Sequence, residues 1–366
     1  MKRFKKVFKI FLYLLSGLFV ILLGLVIVLW LKSPGTTDPI VDANDKLMPN
    51  SIATIENVTL GNMEQTLIIR GADRTKPVML FLHGGPGSPE LIFLRNTNSA
   101  IENDFVMVYW EQRGAGKSYS EEIPVESMNL EQFISDTKEL SELLAKRFGK
   151  EKIYIMGHSW GSLLGILTAY QYPELFYAYF GIGQVGHQYK GEQISTEWVK
   201  DQAQKHNDKD AIEALAAMSF PDSLANSDAW WDYLAVERNY VMQFGGGVTH
   251  EMRGMWPVVQ MILEAKEYTF GEKMDYLKAS TFSIKHLWPD VIDTNLFREI
   301  DSMQVPVYIL QGVHDYQTPY SLAKDFYDQL KAPQKAFYTF KNSAHSPLME
   351  EAERFNTIVR ERAVGK

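Results

Sequence analysis

Three residues of this 366-residue chain have the types and order needed for nucleophilic acyl transfer: Ser159, Asp315 and His345. Ser159 lies in Gly157-His158-Ser159-Trp160-Gly161, after the apolar run 152–156 and before the helix-like stretch 162–170. A strand, a sharp glycine-flanked turn and a helix lift a serine hydroxyl clear of a sheet edge. A serine hydroxyl is a poor nucleophile at neutral pH and needs a base to take its proton. His345, in Asn342-Ser343-Ala344-His345-Ser346-Pro347, is the candidate base. Asp315 would hold its imidazole in the useful tautomer and stabilise the imidazolium. His314 adjoins Asp315, but neighbours on an extended segment point apart.

The elements that must position these groups are apolar, β-branched runs. Val305–Gln311 reads as a buried strand started by a proline and running into Gly312-Val313-His314-Asp315. Residues 337–340 form a shorter strand before His345, and 178–183 another after the nucleophile helix. Pro77–Leu82 ends in His83-Gly84-Gly85-Pro86-Gly87-Ser88, where backbone N–H groups can face a developing oxyanion. Phe105–Trp110 runs into Glu111-Gln112-Arg113-Gly114-Ala115-Gly116-Lys117-Ser118, a glycine-rich run without P-loop spacing.

Taken together, H-G-G-P-G, Q-R-G-x-G-x-S, G-x-S-W-G-S, H-D…P and A-H-S-P resemble the proline iminopeptidase group of serine aminopeptidases within the α/β-hydrolase superfamily. The likeness spans roughly residues 50 to 366 and is densest around the motifs. It implies a mostly parallel sheet flanked by helices, with an inserted helical cap. It also implies an oxyanion hole from Gly84, Gly85 and the N–H of Trp160, and removal of N-terminal residues, often proline, from peptides. The family has Asp before Gln-Arg-Gly, where Glu111 stands here, and often Gly-Gly-Ser-Trp-Gly, where this chain has His158. Cap glutamates of the family take the substrate's free amine. Glu237, on an aromatic-rich stretch with Trp230, Trp231, Tyr233 and Tyr240, is the first candidate. Its bland alternative is a surface glutamate paired with Arg238. Epoxide hydrolases and haloalkane dehalogenases share two of these signals but carry aspartate at the apex, where serine suits acyl transfer. An esterase or lactonase acting on small acyl compounds is the alternative reading. A tethered, non-catalytic binding protein is the third.

At the N-terminus, residues 1–9 carry five basic side chains, and 10–31 form an uncharged apolar run of 22 residues. At ~1.5 Å per residue that crosses a bilayer. The run ends in Leu29-Trp30-Leu31-Lys32, with no small-x-small cleavage site, so it reads as an uncleaved signal anchor in a cell membrane. The basic tail is then cytoplasmic and the hydrolase extracytoplasmic. Residues 32–50 read as a linker, 51–184 with 299–366 as the hydrolase core, and 185–298 as the helical cap. Gly245-Gly246-Gly247 within it would serve as a flexible corner.

The formal net charge is −8, and removing residues 1–32 leaves 31 basic against 45 acidic residues, near −14. That argues against nucleic-acid binding. There is no cysteine, so disulfides and Cys-ligated zinc are excluded. No cofactor and no metal is expected.

Overall fold

A computed structural model describes residues 2–222, 224 and 226–363. Eight strands form one sheet in the order β1-β2-β4-β3-β5-β6-β7-β8. They are β1 (Ile52–Leu60), β2 (Met63–Gly71), β3 (Val78–Leu82), β4 (Val106–Glu111), β5 (Ile153–His158), β6 (Phe176–Ile182), β7 (Val307–Gly312) and β8 (Lys335–Phe340). Strand β2 pairs antiparallel with both neighbours, and every pairing from β4 through β8 is parallel. The fold is therefore the mostly parallel, helix-flanked sheet expected from the motifs.

The inner strands β3, β4 and β7 are buried along their whole length, which is why they read as continuous apolar runs. Successive residues serve opposite faces: Val78, Leu80 and Leu82 pack in one core cluster, Met79 and Phe81 in the other. The first cluster takes in the helices Leu130–Phe148 and Trp160–Gln171, the second the helix Ala352–Ala363.

Strands β1 and β2 are not anticipated by the sequence reading. They form a hairpin in which Leu60 faces Met63 across Gly61 (φ 52°) and Asn62 (φ 61°). Two successive positive φ angles are the requirement of a type I′ turn, and Gly-Asn supplies them.

Among the described residues, six helices lie between β6 and β7, from Gln188–Lys205 to Leu296–Glu299. Glu111, at the end of β4, ties this insertion to the sheet. It accepts hydrogen bonds from the Tyr268 hydroxyl and the Lys117 N–H. Burial pushes its carboxyl up from 4.5 to about 7, with those bonds offsetting only part of the effect. The folded state thus keeps a proton that the unfolded chain releases at lower pH. This group's contribution is fully present below about pH 4.5 and is lost as pH rises through 7, a change of at most about 3 kcal/mol. Glu111→Gln keeps an acceptor for Lys117 and can donate to Tyr268. We expect the variant's melting temperature to fall less between pH 5 and pH 8 than the parent's. Parallel declines would exclude Glu111 as the titrating group.

The short tether after the N-terminal helix is packed rather than free. Pro34 bridges Thr269, Thr36 N–H donates to Lys266 O at 3.1 Å, and Arg70 donates to Asp38 O at 2.6 Å.

Candidate active site

Ser159 is the residue between β5 and the helix Trp160–Gln171, at φ 56° and ψ −122°. A non-glycine residue there is strained and persists only where its surroundings hold it. The clamp is local: Ser159 N–H donates to Ile182 O at 2.9 Å, and the Ser162 hydroxyl donates to Ser159 O at 2.6 Å. The flanking glycines are required by close approach. A Cβ on Gly157 would lie 2.0 Å from Gly161 O, and one on Gly161 2.0 Å from Leu82 O.

Asp315 follows β7 and His345 follows β8, so the parallel strands deliver all three groups to one sheet edge. His345 Nδ1 lies 2.9 Å from Asp315 Oδ2, with both side chains buried. The rest of the carboxylate is fully engaged. Gln311 Nε2 and the Thr318 hydroxyl donate to Oδ2 at 2.8 Å each, while the N–H groups of Gln317 and Thr318 donate to Oδ1 at 3.0 and 2.9 Å. With every oxygen committed, Nδ1–H is the proton arrangement that fits, leaving Nε2 as the basic nitrogen. Ser159 and His345 line the same cavity.

That cavity has two lobes, of about 190 and 470 Å³, which share Gly85, Ser88 and Ser159 among their walls. Trp231 and Trp288 of the insertion line the larger lobe, while Trp230 and Tyr233 pack in the core. Trp160 opens its helix, and the first N–H groups of a helix have no acceptor within it. Gly84 N–H is 3.3 Å from Glu90 Oε1, whereas Gly85 N–H has no acceptor among the described residues. His83 fixes this loop: its Nδ1 lies 2.9 Å from Gly84 O, and its Nε2 accepts Gln112 N–H. Burial holds the His83 imidazole down at about 4, so it stays neutral.

Glu237 lies elsewhere than a pocket wall. It is wholly buried, accepts from the Ser195 hydroxyl and pairs with Arg238, and it lines neither lobe. Burial pushes its carboxyl up to about 7 against the pull of Arg238. Arg238, which also bonds Glu192, is the member of this cluster that reaches the larger lobe. Nor is the glycine corner loose: Gly246 O accepts Tyr316 N–H at 3.0 Å, and Gly247 O accepts His345 N–H at 3.2 Å.

Sequence reasoning missed Glu90. Among the described residues it is the one carboxylate lining either lobe. His158 Nδ1 lies 2.6 Å from Glu90 Oε1, and His158 Nε2 lies 2.8 Å from His345 O. A carbonyl only accepts, so Nε2 carries a proton and the pair shares one more. Burial opposes a charged His158, but the Glu90 carboxylate and the His345 carbonyl outweigh it and hold the imidazole above its ordinary value. Glu90 Oε2 is buried and has no hydrogen-bond partner among the described residues.

The profile of the alpha/beta hydrolase fold matches residues 77–352. The chain belongs to the α/β-hydrolase family and is a hydrolase. It is 35% identical over 313 residues to a probable aminopeptidase, YbaC, of Bacillus subtilis (strain 168), spanning 85% of this chain and 96% of that protein. A proline iminopeptidase of Lactobacillus acidophilus is 23% identical over 303 residues, 80% of this chain and 92% of its own. The crystal structure of a proline iminopeptidase of Mycobacterium smegmatis superposes with a TM-score of 0.61 at 18% identity, covering 84% of this chain and 97% of that one. This α/β-hydrolase carries an N-terminal helix, Lys2–Leu31, whose stretch Lys6–Leu31 is long and apolar enough to cross a membrane.

Proposed function

We propose that this α/β-hydrolase is a membrane-anchored serine aminopeptidase that releases N-terminal residues from small peptides. Residues 10–31 are its anchor, the catalytic domain is extracytoplasmic, and the insertion between β6 and β7 is its cap. Ser159 Oγ attacks the scissile carbonyl while His345 Nε2 takes the hydroxyl proton. Asp315 keeps Nδ1–H in place and stabilises the imidazolium. The N–H groups of Trp160 and Gly85 are the donors to the oxyanion, the Gly84 N–H being directed to Glu90 Oε1 instead. Collapse of the adduct breaks the C–N bond, and the leaving amine receives the proton from His345. A water, deprotonated by the same nitrogen, then releases the acyl group from Ser159.

The observation that carries the peptidase reading over an esterase is Glu90. A buried carboxylate oxygen without a partner costs free energy unless something completes it. The α-ammonium of a peptide bound at Ser159 is a donor of the right charge. Glu90→Gln is expected to lower kcat/KM on a prolyl naphthylamide about 100-fold, with a much smaller loss on a short-chain nitrophenyl ester. Equal losses on both substrates would reassign Glu90 to support of His158. Ester turnover with no amide turnover by the parent enzyme would favour the esterase reading, for which the largely apolar larger lobe speaks.

A further inference from the structure

The chain emerges from its N-terminal helix directly onto the cap. Trp30, near the end of that helix, is 64% exposed. Lys273 Nζ donates to Lys32 O at 3.3 Å and to Leu263 O at 2.8 Å. Pro34 bridges Thr269, and Thr36 N–H bonds Lys266 O. From Lys32 to Thr36 the chain reaches at most about 14 Å. The cap helices Trp256–Glu264 and Phe270–Asp293 are therefore held beside the helix end with no slack.

The same two helices, with the residue before the first of them, carry exposed apolar side chains. Trp256 is 65% exposed, Leu277 57%, Met274 51%, and Met255, just before the first helix, 49%. Met255 and Leu277 line both lobes at Ser159. Leu277 is one turn from Lys273, about 6 Å along the helix face. Exposed Met255 and Leu277 thus form an apolar rim to the cavity, and Trp256 and Met274 neighbour them in sequence and one helical turn away. Exposed apolar residues with a tryptophan among them have the composition of a membrane-interface surface.

We propose that the mouth of the catalytic cavity rests against the outer surface of the bilayer entered by residues 10–31. The substrate reaches Ser159 from the lipid side, as an amphiphile with a membrane-partitioned apolar part. The bilayer is favoured over a second protein because the tether fixes this rim within a few residues of the helix end. The proposal rests on the reading of 10–31 as a membrane anchor.

The absence of cysteine makes the test direct. Single nitroxide labels are placed at Trp256→Cys, Met274→Cys and, as control, Tyr177→Cys, which lies at the opposite end of the sheet from Ser159. The full chain is reconstituted in phosphatidylethanolamine–phosphatidylglycerol vesicles. Labels at 256 and 274 should collide severalfold more often with dissolved oxygen than with a water-soluble nickel chelate, relative to 177. Vesicle-bound protein with all three labels equally wet would overturn the proposal and leave the anchor standing. Protein that does not float with vesicles would overturn both. A second readout concerns route: the double variant Trp256→Glu, Met274→Glu should turn over a water-soluble substrate at the parent rate. It should cleave a long-chain alkyl analogue in vesicles severalfold more slowly. Equal rates on the alkyl analogue would reject entry from the lipid side.

Discussion

Ser159→Ala is expected to lower kcat by roughly a millionfold while leaving the protein folded. The loss is large because, in the proposed mechanism, the hydroxyl is the atom that bonds substrate, and no neighbour replaces it. Ser162 is committed to Ser159 O and to Val185 N–H, and Ser88 Oγ lies 3.1 Å from Ser280 Oγ. Folding should survive because the Ser159 side chain makes no capping bond. The strained backbone is held by bonds through its own N–H and C=O, which alanine retains. Turnover of prolyl naphthylamide, with thermal unfolding in parallel, checks this. A variant that keeps a tenth of the activity and melts normally would remove Ser159 from the chemistry.

Asp315→Asn is expected to cost about ten-thousandfold in kcat, through the tautomer of His345. The asparagine carbonyl takes over the bonds from Gln317 and Thr318 N–H, so its amide nitrogen sits where Oδ2 was. That nitrogen donates, and His345 Nδ1 must then accept. The imidazole proton moves to Nε2 and faces Ser159, which loses its base. Gln311 Nε2 would meet a donor instead of an acceptor, so a stability loss of about 1–3 kcal/mol accompanies the change. Nitrogen-15 NMR of the His345 ring separates the two effects. A variant with Nδ1 still protonated and activity lost would point to misfolding or misplacement instead.

The candidate triad was legible because Ser159 and Asp315 follow apolar runs that a buried strand explains, while His345 follows the half-buried strand β8. Ser159 adds glycines whose Cβ atoms would strike backbone at 2.0 Å. The hairpin of β1 and β2 was harder to see, since β1 is half-exposed and lacks a continuous apolar run. Its turn signal, Gly61-Asn62, was present. Glu90 was out of reach for a different reason. It stands in a loop, and its partner His158 is 68 positions away, so no local pattern joins them. Glu237 drew attention because its helix is aromatic, yet burial turns it toward Ser195 and Arg238. The docking of residues 33–38 on the insertion between β6 and β7 likewise depends on contacts more than 200 positions apart, such as Thr36 with Lys266.

The most direct test of the central claim is mass spectrometry after treatment of the full-length protein with a fluorophosphonate. The account predicts one covalent adduct per chain, on Ser159, formed rapidly in the parent and suppressed in His345→Ala. Labelling at another serine, or unchanged labelling of Ser159 without His345, would contradict a nucleophile activated by the His345–Asp315 pair.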